Sequence, residues 1–332
     1  MTNPVLIEVT RGNLIESRHR GCLAIAGADG NIVLSLGQIS APIYPRSAVK
    51  AIQALPLIET GAAGALSFNN SHLALAAASH TGTEHHVAVA REMLKRAGLD
   101  EGVLACGVHP PLDEAAARAL WATGARPGAL HHNCSGKHAG MLATARHMRE
   151  DIDGYWEPEH PVQQRIRVIL EEVSGLALPS NLCGIDGCSV PNYAMPAKNL
   201  AIAFARLITG QGLAPARSAA ARVMLQAAWA EPELAAGIGR LDTKVLSAFK
   251  HAAYIKTGAE GVYAGVFPHR GLGFALKIDD GASRAADAVT KLLVEAYVPA
   301  ARGKLPLKTL KNAQSKDVGV VRASEILAIA LS

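Results

Sequence analysis

The chain has 332 residues, of which 49% are hydrophobic and 18% are charged. This composition supports a sizeable core and excludes an intrinsically disordered protein. The net charge of +5 is scattered and aromatic residues make up 4%. Nucleic-acid-binding surfaces use basic runs interleaved with aromatic residues, so this pattern argues against a nucleic-acid-binding protein. The positive net charge mildly favours an anionic small substrate.

The sequence shows no signal peptide and no apolar run of transmembrane length. We therefore expect a cytoplasmic protein that acts on a small molecule, with no membrane partner and no nucleic-acid partner. In a reducing compartment its five cysteines are not expected to form a disulfide framework. Each cysteine is then a core residue, a metal ligand or a nucleophile.

The predicted elements follow one another in three blocks. Two or three strands come first, and Asp29-Gly30 marks a hairpin turn between the last two. A long helical section follows, with apolar residues at helical spacing in segments 84–98, 112–125, 160–175, 198–210 and 216–230. Three short strands, an amphipathic helix and a short helix then complete the chain, in segments 252–258, 261–269, 271–281, 282–298 and 323–331.

This order of elements predicts a mixed α/β (α+β) fold. Strands from both chain ends are expected to pair into one antiparallel sheet packed with helices, while the central helices form a lobe. Residues 1–75 and 245–332 are assigned to the sheet subdomain, and residues 76–244 to a mainly helical subdomain. A functional site is expected in a cleft between sheet and lobe.

Ser47 stands three residues before Lys50, at the predicted start of a helix. Positions i and i+3 share one helix face, so the two side chains can meet. A serine hydroxyl is a weak nucleophile that needs a base, and a lysine in its neutral form can act as one. The plain structural alternative is a capping serine followed by an exposed lysine, and S-x-x-K is common by chance.

A second motif, Lys256-Thr257-Gly258, lies on the first of the late strands. A K-T-G strand element after an S-x-x-K helix element is similar to the layout of acyl-serine hydrolases such as β-lactamases and penicillin-binding proteins. The Ser-x-Asn element of those enzymes has no clear counterpart. Ser79, which precedes a helix, is a candidate to supply a hydroxyl in its place, although it is equally placed to be a loop or capping serine.

A possible metal site is indicated by two cysteines in glycine-rich segments, Cys134 in "HHNCSGKHAG" and Cys188 in "GIDGCSVP". Lys137 and His138 follow Cys134 at i+3 and i+4, on one face of a predicted helix start. Two thiolates of this kind suggest Zn²⁺, with His138 or Lys137 completing the ligand set, and spacing alone favours His138. Two buried core cysteines are the alternative.

Together, "YPRSAVK", "SHTGTEHH", "HHNCSGKHAGM", "GIDGCSVP" and "YIKTGAEGVY" resemble the rhizobial-type, or class 3, L-asparaginases. The resemblance is close to the constitutive isozyme of that family and extends from Tyr44 to Tyr263, most of the chain. It implies a fold similar to serine β-lactamases, a homodimer, and hydrolysis of L-asparagine to L-aspartate and ammonia.

The resemblance also implies roles for individual residues. Ser47 with Lys50, and Ser79 with Lys256, match the family's two Ser-Lys tandems. Its zinc ion is held by two cysteines, one lysine and water, which implies Cys134, Lys137 and Cys188 here and so prefers Lys137 to His138. The substrate pocket of the family maps onto Arg46, His138 and Asp186.

These residues lead us to expect amide hydrolysis through an acyl-serine, with Ser47 favoured over Ser79 as nucleophile. By their charges, Arg46 and Asp186 would hold the α-carboxylate and the α-ammonium of the substrate. Two other functions stay open: a glutaminase or another acyl-serine amidohydrolase of this fold, β-lactam and D,D-peptide substrates included, and a binding or sensor protein without turnover.

Overall fold

A computed structural model describes residues 2–332. Within them the chain divides into two compact units. The sheet unit comprises the residues up to Ala48 together with Met195–Arg206 and Ala252–Ser332. The helical unit comprises Val49–Ala194 and Leu207–His251.

The predicted antiparallel sheet built from both ends of the chain is confirmed. The strands are β1 (Val5–Arg11), β2 (Leu14–Gly27), β3 (Ile32–Leu36), β4 (Pro42–Ile43), β5 (Cys183–Ile185), β6 (Pro191–Tyr193), β7 (Met195–Pro196), β8 (Tyr254–Gly258), β9 (Val262–Phe267), β10 (Leu272–Ile278), β11 (Thr309–Lys311) and β12 (Asp317–Ala323). The main sheet has the order β11-β12-β1-β2-β10-β9-β8, and β3 pairs with β2. β4 pairs with β7, and β5 pairs with β6, in two small separate sheets.

The long strand β2 joins the two parts of the main sheet. Its first half, Leu14–Arg20, pairs with β1, whereas its second half, Gly21–Gly27, pairs with β10. The predicted Asp29-Gly30 turn lies between β2 and β3: Gly30 has a φ of 90° and the Asp29 carboxylate accepts a bond from the Asn31 amide. Asn or Asp beside Gly suits a turn because both residues tolerate positive φ.

The helices are α1 (Lys50–Gln53), α2 (Leu55–Glu59), α3 (Ala62–Ala65), α4 (Asn70–Ala76), α5 (Glu84–Arg96), α6 (Glu114–Ala122), α7 (Ser135–His147), α8 (Pro161–Ser174), α9 (Ala197–Thr209), α10 (Pro215–Ala230), α11 (Pro232–Ala236), α12 (Leu241–Ala248), α13 (Ser283–Tyr297) and α14 (Glu325–Ala330). All seven helices predicted from apolar spacing are present. Asp113 caps α6 as predicted, because its carboxylate accepts a bond from the Ala116 amide.

In the described part of the chain, no helix has the length and apolarity that a membrane crossing requires.

Successive side chains of β10 point to opposite faces of the sheet, and a helix packs on each face. Gly273 faces α9 so closely that a Cβ on it would overlap the carbonyl oxygen of Ala201. The next residue, Phe274, stacks on Phe267, which in turn stacks on Tyr297 of α13. The sheet unit is therefore three-layered at this point, and a glycine is required where α9 meets the strand.

In the helical unit, α7 is buried from Ser135 to Ala145. Two glycines one turn apart let it approach α4: a Cβ on Gly136 would lie 2.5 Å from the carbonyl oxygen of Leu75, and one on Gly140 would lie 3.2 Å from Ala76 Cβ. The sequence S-G-K-H-A-G thus uses its small residues for close helix packing. Its polar residues are then buried as well, and each of them needs a partner.

Substituting Gly273→Ala is expected to destabilise the protein by about 2–3 kcal/mol, because the new methyl group meets backbone atoms of α9 that cannot rotate away. Gly64→Ala, in α3, is the matched control: a Cβ there has no neighbour within 4 Å, so higher helix propensity should stabilise by ~0.5–1 kcal/mol. Urea unfolding measures both. Equal stability of the two variants would contradict this account.

Candidate active site

Lys50 is a buried charged residue whose side-chain amine makes three hydrogen bonds. It follows a short 3-10 helix, Arg46–Val49, and begins α1 with a side chain that is 1% exposed. Its Nζ donates to the carbonyl oxygen of Ala78 at 2.6 Å, to Ser79 Oγ at 3.0 Å and to Cys134 Sγ at 3.1 Å. An ammonium group has three hydrogens, so these three bonds use all of them.

Ser79 lies on the loop between α4 and α5, and it is 6% exposed. The loop is attached to the segment before α7, because the His80 amide donates to the carbonyl oxygen of Asn133 at 3.2 Å. Gly82 has a φ of 75°, and a Cβ there would stand 2.7 Å from the carbonyl oxygen of His131. The H-T-G-T sequence after Ser79 therefore includes a glycine where the two segments touch.

The structure brings Cys134, Lys137 and Cys188 together. Cys134 is the N-cap residue of α7, and Lys137 lies one turn later, as the spacing predicts. Cys188 is buried in the tight turn between β5 and β6, where the Ser189 amide donates to the carbonyl oxygen of Asp186. Lys137 Nζ donates to Cys188 Sγ at 3.0 Å.

The two thiols are electrostatically different. A hydrogen bond from Cys188, together with the charges of Lys50 and Lys137, holds the pKa of Cys134 well below its ordinary value despite burial. The same hydrogen bond and burial raise the pKa of Cys188. Burial acts to lower the pKa of Lys137, but the charges of Cys188 and Cys134 outweigh it, and the pKa is raised. Cys134 is therefore the thiol of the pair that ionises more readily, and Lys137 holds its proton more tightly than an isolated lysine.

His138 is fully buried beside this group. The Tyr155 hydroxyl accepts a bond from the Ala105 amide at 2.9 Å and lies 2.7 Å from His138 Nδ1, to which we assign its hydrogen because a buried hydroxyl needs an acceptor. That bond places the ring proton of the neutral imidazole on Nε2, and the ring also interacts with the side chain of Cys188. Burial lowers the pKa of His138 to about 4, so the ring is a neutral hydrogen-bond donor.

Two other predicted pocket residues lie on turns. Asp186 is half-buried in the β5–β6 turn, and its charge acts on Lys137. Arg46, in the sheet unit, has a φ of 52°, which is a left-handed conformation that strains a residue with a Cβ. Ser47 follows it and is half-buried.

The predicted K-T-G strand element is β8, also in the sheet unit. Lys256 is 3% exposed and donates to the carbonyl oxygen of Thr257 at 2.8 Å. A Cβ on Gly258 would lie 2.7 Å from the carbonyl oxygen of Pro45 and 3.3 Å from the Ala48 amide. The strand end therefore packs directly against the turn that carries Ser47. Ser79 and Lys256, the other predicted tandem, belong to different units.

Several histidines have a structural role that no sequence motif predicted. Seven histidines each accept a hydrogen bond from a backbone amide through a ring nitrogen: His72, His80, His86, His109, His131, His132 and His160. Three of these bonds run from the amide three residues earlier, the geometry of a capping box with histidine at N3. A histidine three residues after Asn, Thr or Gly at a helix start is the signal that identifies them.

Comparison with known proteins gives one sequence match. Residues 7–323 match the family described as L-asparaginase II. No curated protein matches the sequence significantly. The described residues contain no group of three or more His, Cys, Asp or Glu side chains placed to hold a metal ion.

Among solved structures, the chain is similar to a β-lactamase from Mycobacterium bovis at 11% identity, covering 83% of this chain and 94% of that one with a TM-score of 0.42. It is similar to the D-alanine carboxypeptidase AmpC from Burkholderia cenocepacia at 14% identity, covering 86% and 93%, with a TM-score of 0.41. It is also similar to a mutant simvastatin synthase from Aspergillus terreus at 12% identity, covering 78% and 86%, with a TM-score of 0.38.

Buried neutral histidines make stability depend on pH. Burial lowers the pKa of His72, His80 and His86 in the folded chain, whereas the unfolded chain binds protons below about pH 6.5. The stabilisation is complete above that pH and is lost as the pH falls, by up to roughly 1.4 kcal/mol per pH unit for each histidine. Urea unfolding should therefore give a lower free energy of unfolding at pH 5.5 than at pH 7.5.

Two neighbouring histidines provide the control for this pH dependence. His86 is buried, whereas His85 is exposed. His86→Asn should reduce the slope of the unfolding free energy against pH, and His85→Asn should leave it as in the wild type. A wild-type free energy that stays constant or rises from pH 7.5 to 5.5 would show that these rings are not held neutral.

Proposed function

Since this chain belongs to the L-asparaginase II family, we propose that it hydrolyses the side-chain amide of L-asparagine at a serine–lysine centre. Family membership makes it an amidohydrolase, an L-asparaginase, and the chemistry of its site is our proposal. The observation that carries it is the buried contact of 3.0 Å between Lys50 Nζ and Ser79 Oγ. A lysine held against a serine hydroxyl in a site shielded from water is a means of activating a serine.

We assign the nucleophile to Ser47 and the supporting hydroxyl to Ser79. Ser47 is half-buried and Ser79 is almost fully buried, and a nucleophile must be reached by substrate. The residue before Ser47, Arg46, has a strained positive φ, and strain of this kind is concentrated at functional turns. The close packing of β8 on this turn supports the strained conformation.

In the proposed reaction, Lys50 first releases one of its three protons, and Ser47 Oγ then attacks the amide carbon of asparagine while its own proton passes to the Lys50 amine, one helical turn along the chain. The C–N bond breaks, the proton moves from the lysine to the leaving nitrogen, and ammonia departs from an aspartyl ester. Water then attacks the ester carbon and gives one proton, through Lys50, back to Ser47 Oγ, which releases aspartate. Ser79 keeps the amine in position, and Lys256, its partner in the family's second tandem, adds positive charge.

The substrate would be held by charge and hydrogen bonding. Arg46 is proposed to bind the α-carboxylate and Asp186 the α-ammonium. His138 would donate from Nε2 to a substrate oxygen, since the ring proton is assigned to that atom. A buried donor of this kind favours ligands that carry a matching acceptor.

A zinc site formed by Cys134, Lys137 and Cys188 is supported by the chemistry of these side chains. They bring two sulfur ligands and one nitrogen ligand together, of the kinds that Zn²⁺ prefers, and the pKa of one thiol, Cys134, is lowered. His138 suits the ligand set less well, because its Nε2 carries the proton. When bound, zinc would polarise a ligand oxygen and fix the pocket; Cys188 and Lys137 would each have to release a proton for it.

We further propose, on the family resemblance alone, that the protein is a homodimer and acts in the cytoplasm. The substrate partner is then free L-asparagine.

Glutamine, which is one methylene longer, is the alternative substrate, and a binding pocket discriminates against one methylene by only about 10–200-fold.

Alanine substitution of the two serines tests the assignment of roles. Ser47→Ala is expected to lower kcat for ammonia release by at least ~10³-fold, because the attacking oxygen is lost. Ser79→Ala should cost roughly 10–100-fold, as expected when a reacting group is misplaced. Near-normal turnover in Ser47→Ala with none in Ser79→Ala would reverse the roles. Wild-type protein that releases no ammonia from asparagine, with or without added zinc, would contradict the function itself.

Metal analysis tests the zinc proposal without any activity measurement. Purified protein should hold about one zinc per chain, and Cys134→Ser or Cys188→Ser should weaken binding by more than ~100-fold, since loss of an outer partner alone costs 10–100-fold. Cys22→Ser, at a buried cysteine of β2 in the sheet unit, is the matched control and should keep the metal. Competition with a chromogenic chelator gives the affinities, and equal zinc binding in all variants would rule out this ligand set.

A further inference from the structure

His80 follows Ser79 directly and is fully buried, with no exposed surface. Both of its ring nitrogens have defined partners. The Gly82 amide donates to Nδ1 at 3.2 Å, so Nδ1 carries a lone pair and the ring proton is on Nε2. That Nε2–H donates to Ser135 Oγ at 2.9 Å, and the Ser135 hydroxyl donates in turn to the carbonyl oxygen of Leu130 at 2.9 Å. Every donor and acceptor in this short relay is assigned.

The relay forms the second of two bridges between the same pair of segments. The first is Lys50, which binds Ser79 Oγ on the loop and Cys134 Sγ at the start of α7. The second joins His80, the next residue on the loop, to Ser135, the next residue after Cys134. Two adjacent bridges resist rotation as well as separation, so the position of Ser79 Oγ is fixed relative to the lysine amine.

The groups around His80 keep its imidazole ring in one protonation state. Its ring stacks on His86 at 5.0 Å and 12°, and His86 Nε2 bonds to the carbonyl oxygen of Glu233. Burial and the nearby charges of His86, Lys50, His132 and His109 lower the pKa of His80 well below its ordinary value. The ring is therefore a neutral donor throughout the working range of pH, with no nitrogen left for substrate.

We propose that His80 is a positioning residue of the reaction: its Nε2–H bond to Ser135 sets the place of Ser79 against Lys50. The inference rests on the proposed function, because it concerns the serine–lysine contact of that reaction. Loss of the bridge leaves the loop attached through its backbone bonds and through Lys50, so the protein still folds. The lysine amine and the serine hydroxyl lose their alignment, and misplacement of reacting groups by about 1 Å costs up to ~10²-fold in rate.

Three variants separate the two ring bonds. His80→Asn keeps an acceptor where Nδ1 stands, for the Gly82 amide, but cannot reach Ser135. His80→Gln places an amide N–H near the position of Nε2 and keeps the bond to Ser135. Ser135→Ala removes the acceptor and leaves the histidine intact. Steady-state ammonia release from L-asparagine, with zinc present, gives kcat and KM for each.

We expect His80→Asn and Ser135→Ala to lower kcat by roughly 10–100-fold with KM changed less than about twofold, because alignment and not substrate binding is lost. His80→Gln should restore kcat to within about fivefold of the wild type. The double variant His80→Asn/Ser135→Ala should be no slower than either single variant, since both remove the same bridge.

Distinct outcomes overturn the inference and the function on which it rests. A Ser135→Ala variant with wild-type kcat, or His80→Gln no faster than His80→Asn, overturns the positioning role. So does a fall in kcat that merely follows a fall in melting temperature. Histidine ¹⁵N NMR examines the bridge without turnover, and a His80 ring protonated on Nδ1 would also overturn it. A wild-type protein that is inactive toward asparagine while this NMR signature is present refutes the proposed function and leaves the bridge established.

Discussion

The packing of the helical unit depends on the hydrogen bonds that the buried ammonium group of Lys50 makes. A buried charge is tolerated only when it is paired and hydrogen-bonded, and all three of its hydrogens have acceptors. Those acceptors come from the loop after α4 and from the N-cap of α7, so satisfying one nitrogen fixes two segments. The glycines of α7 let this helix approach α4 closely. The acceptors of the Lys50 amine come together only when these two helices are close.

Histidines also hold the loops around the site in place through hydrogen bonds to backbone amides. Aromatic residues are scarce, at 4%, and the chain has 13 histidines, several of which pack against one another or against other rings. An imidazole fills space as an aromatic ring does and also accepts a backbone hydrogen bond on one side while donating on the other. Backbone amides that would otherwise be buried without a partner are thereby hydrogen-bonded in the loops around the site, and no charge is added next to Cys134.

Much of this architecture follows from local patterns. Apolar spacing places the long helices, Asp29-Gly30 places a hairpin, and the i, i+3, i+4 spacing puts Cys134, Lys137 and His138 on one buried helix face. Strand β12 and the β5–β6 hairpin were not predicted, because they are short or only half-buried and depend on partners distant in sequence. For the same reason, S-x-x-K spacing pairs Lys50 with Ser47, whereas its observed hydroxyl contact is Ser79, brought near by helix packing.

The pairing of β1 with β12 has a consequence for how the molecule is made. Ile7 faces Ala323 across the ladder, so this edge of β1 is covered only after all the residues between the two strands have been synthesised. Closing so large a loop is slow, and an uncovered strand edge invites pairing with other chains. The helical segments between Val49 and Ala194 are continuous in sequence and can assemble on the ribosome first. We therefore expect β1 to be the part of the nascent chain that most needs protection by chaperones.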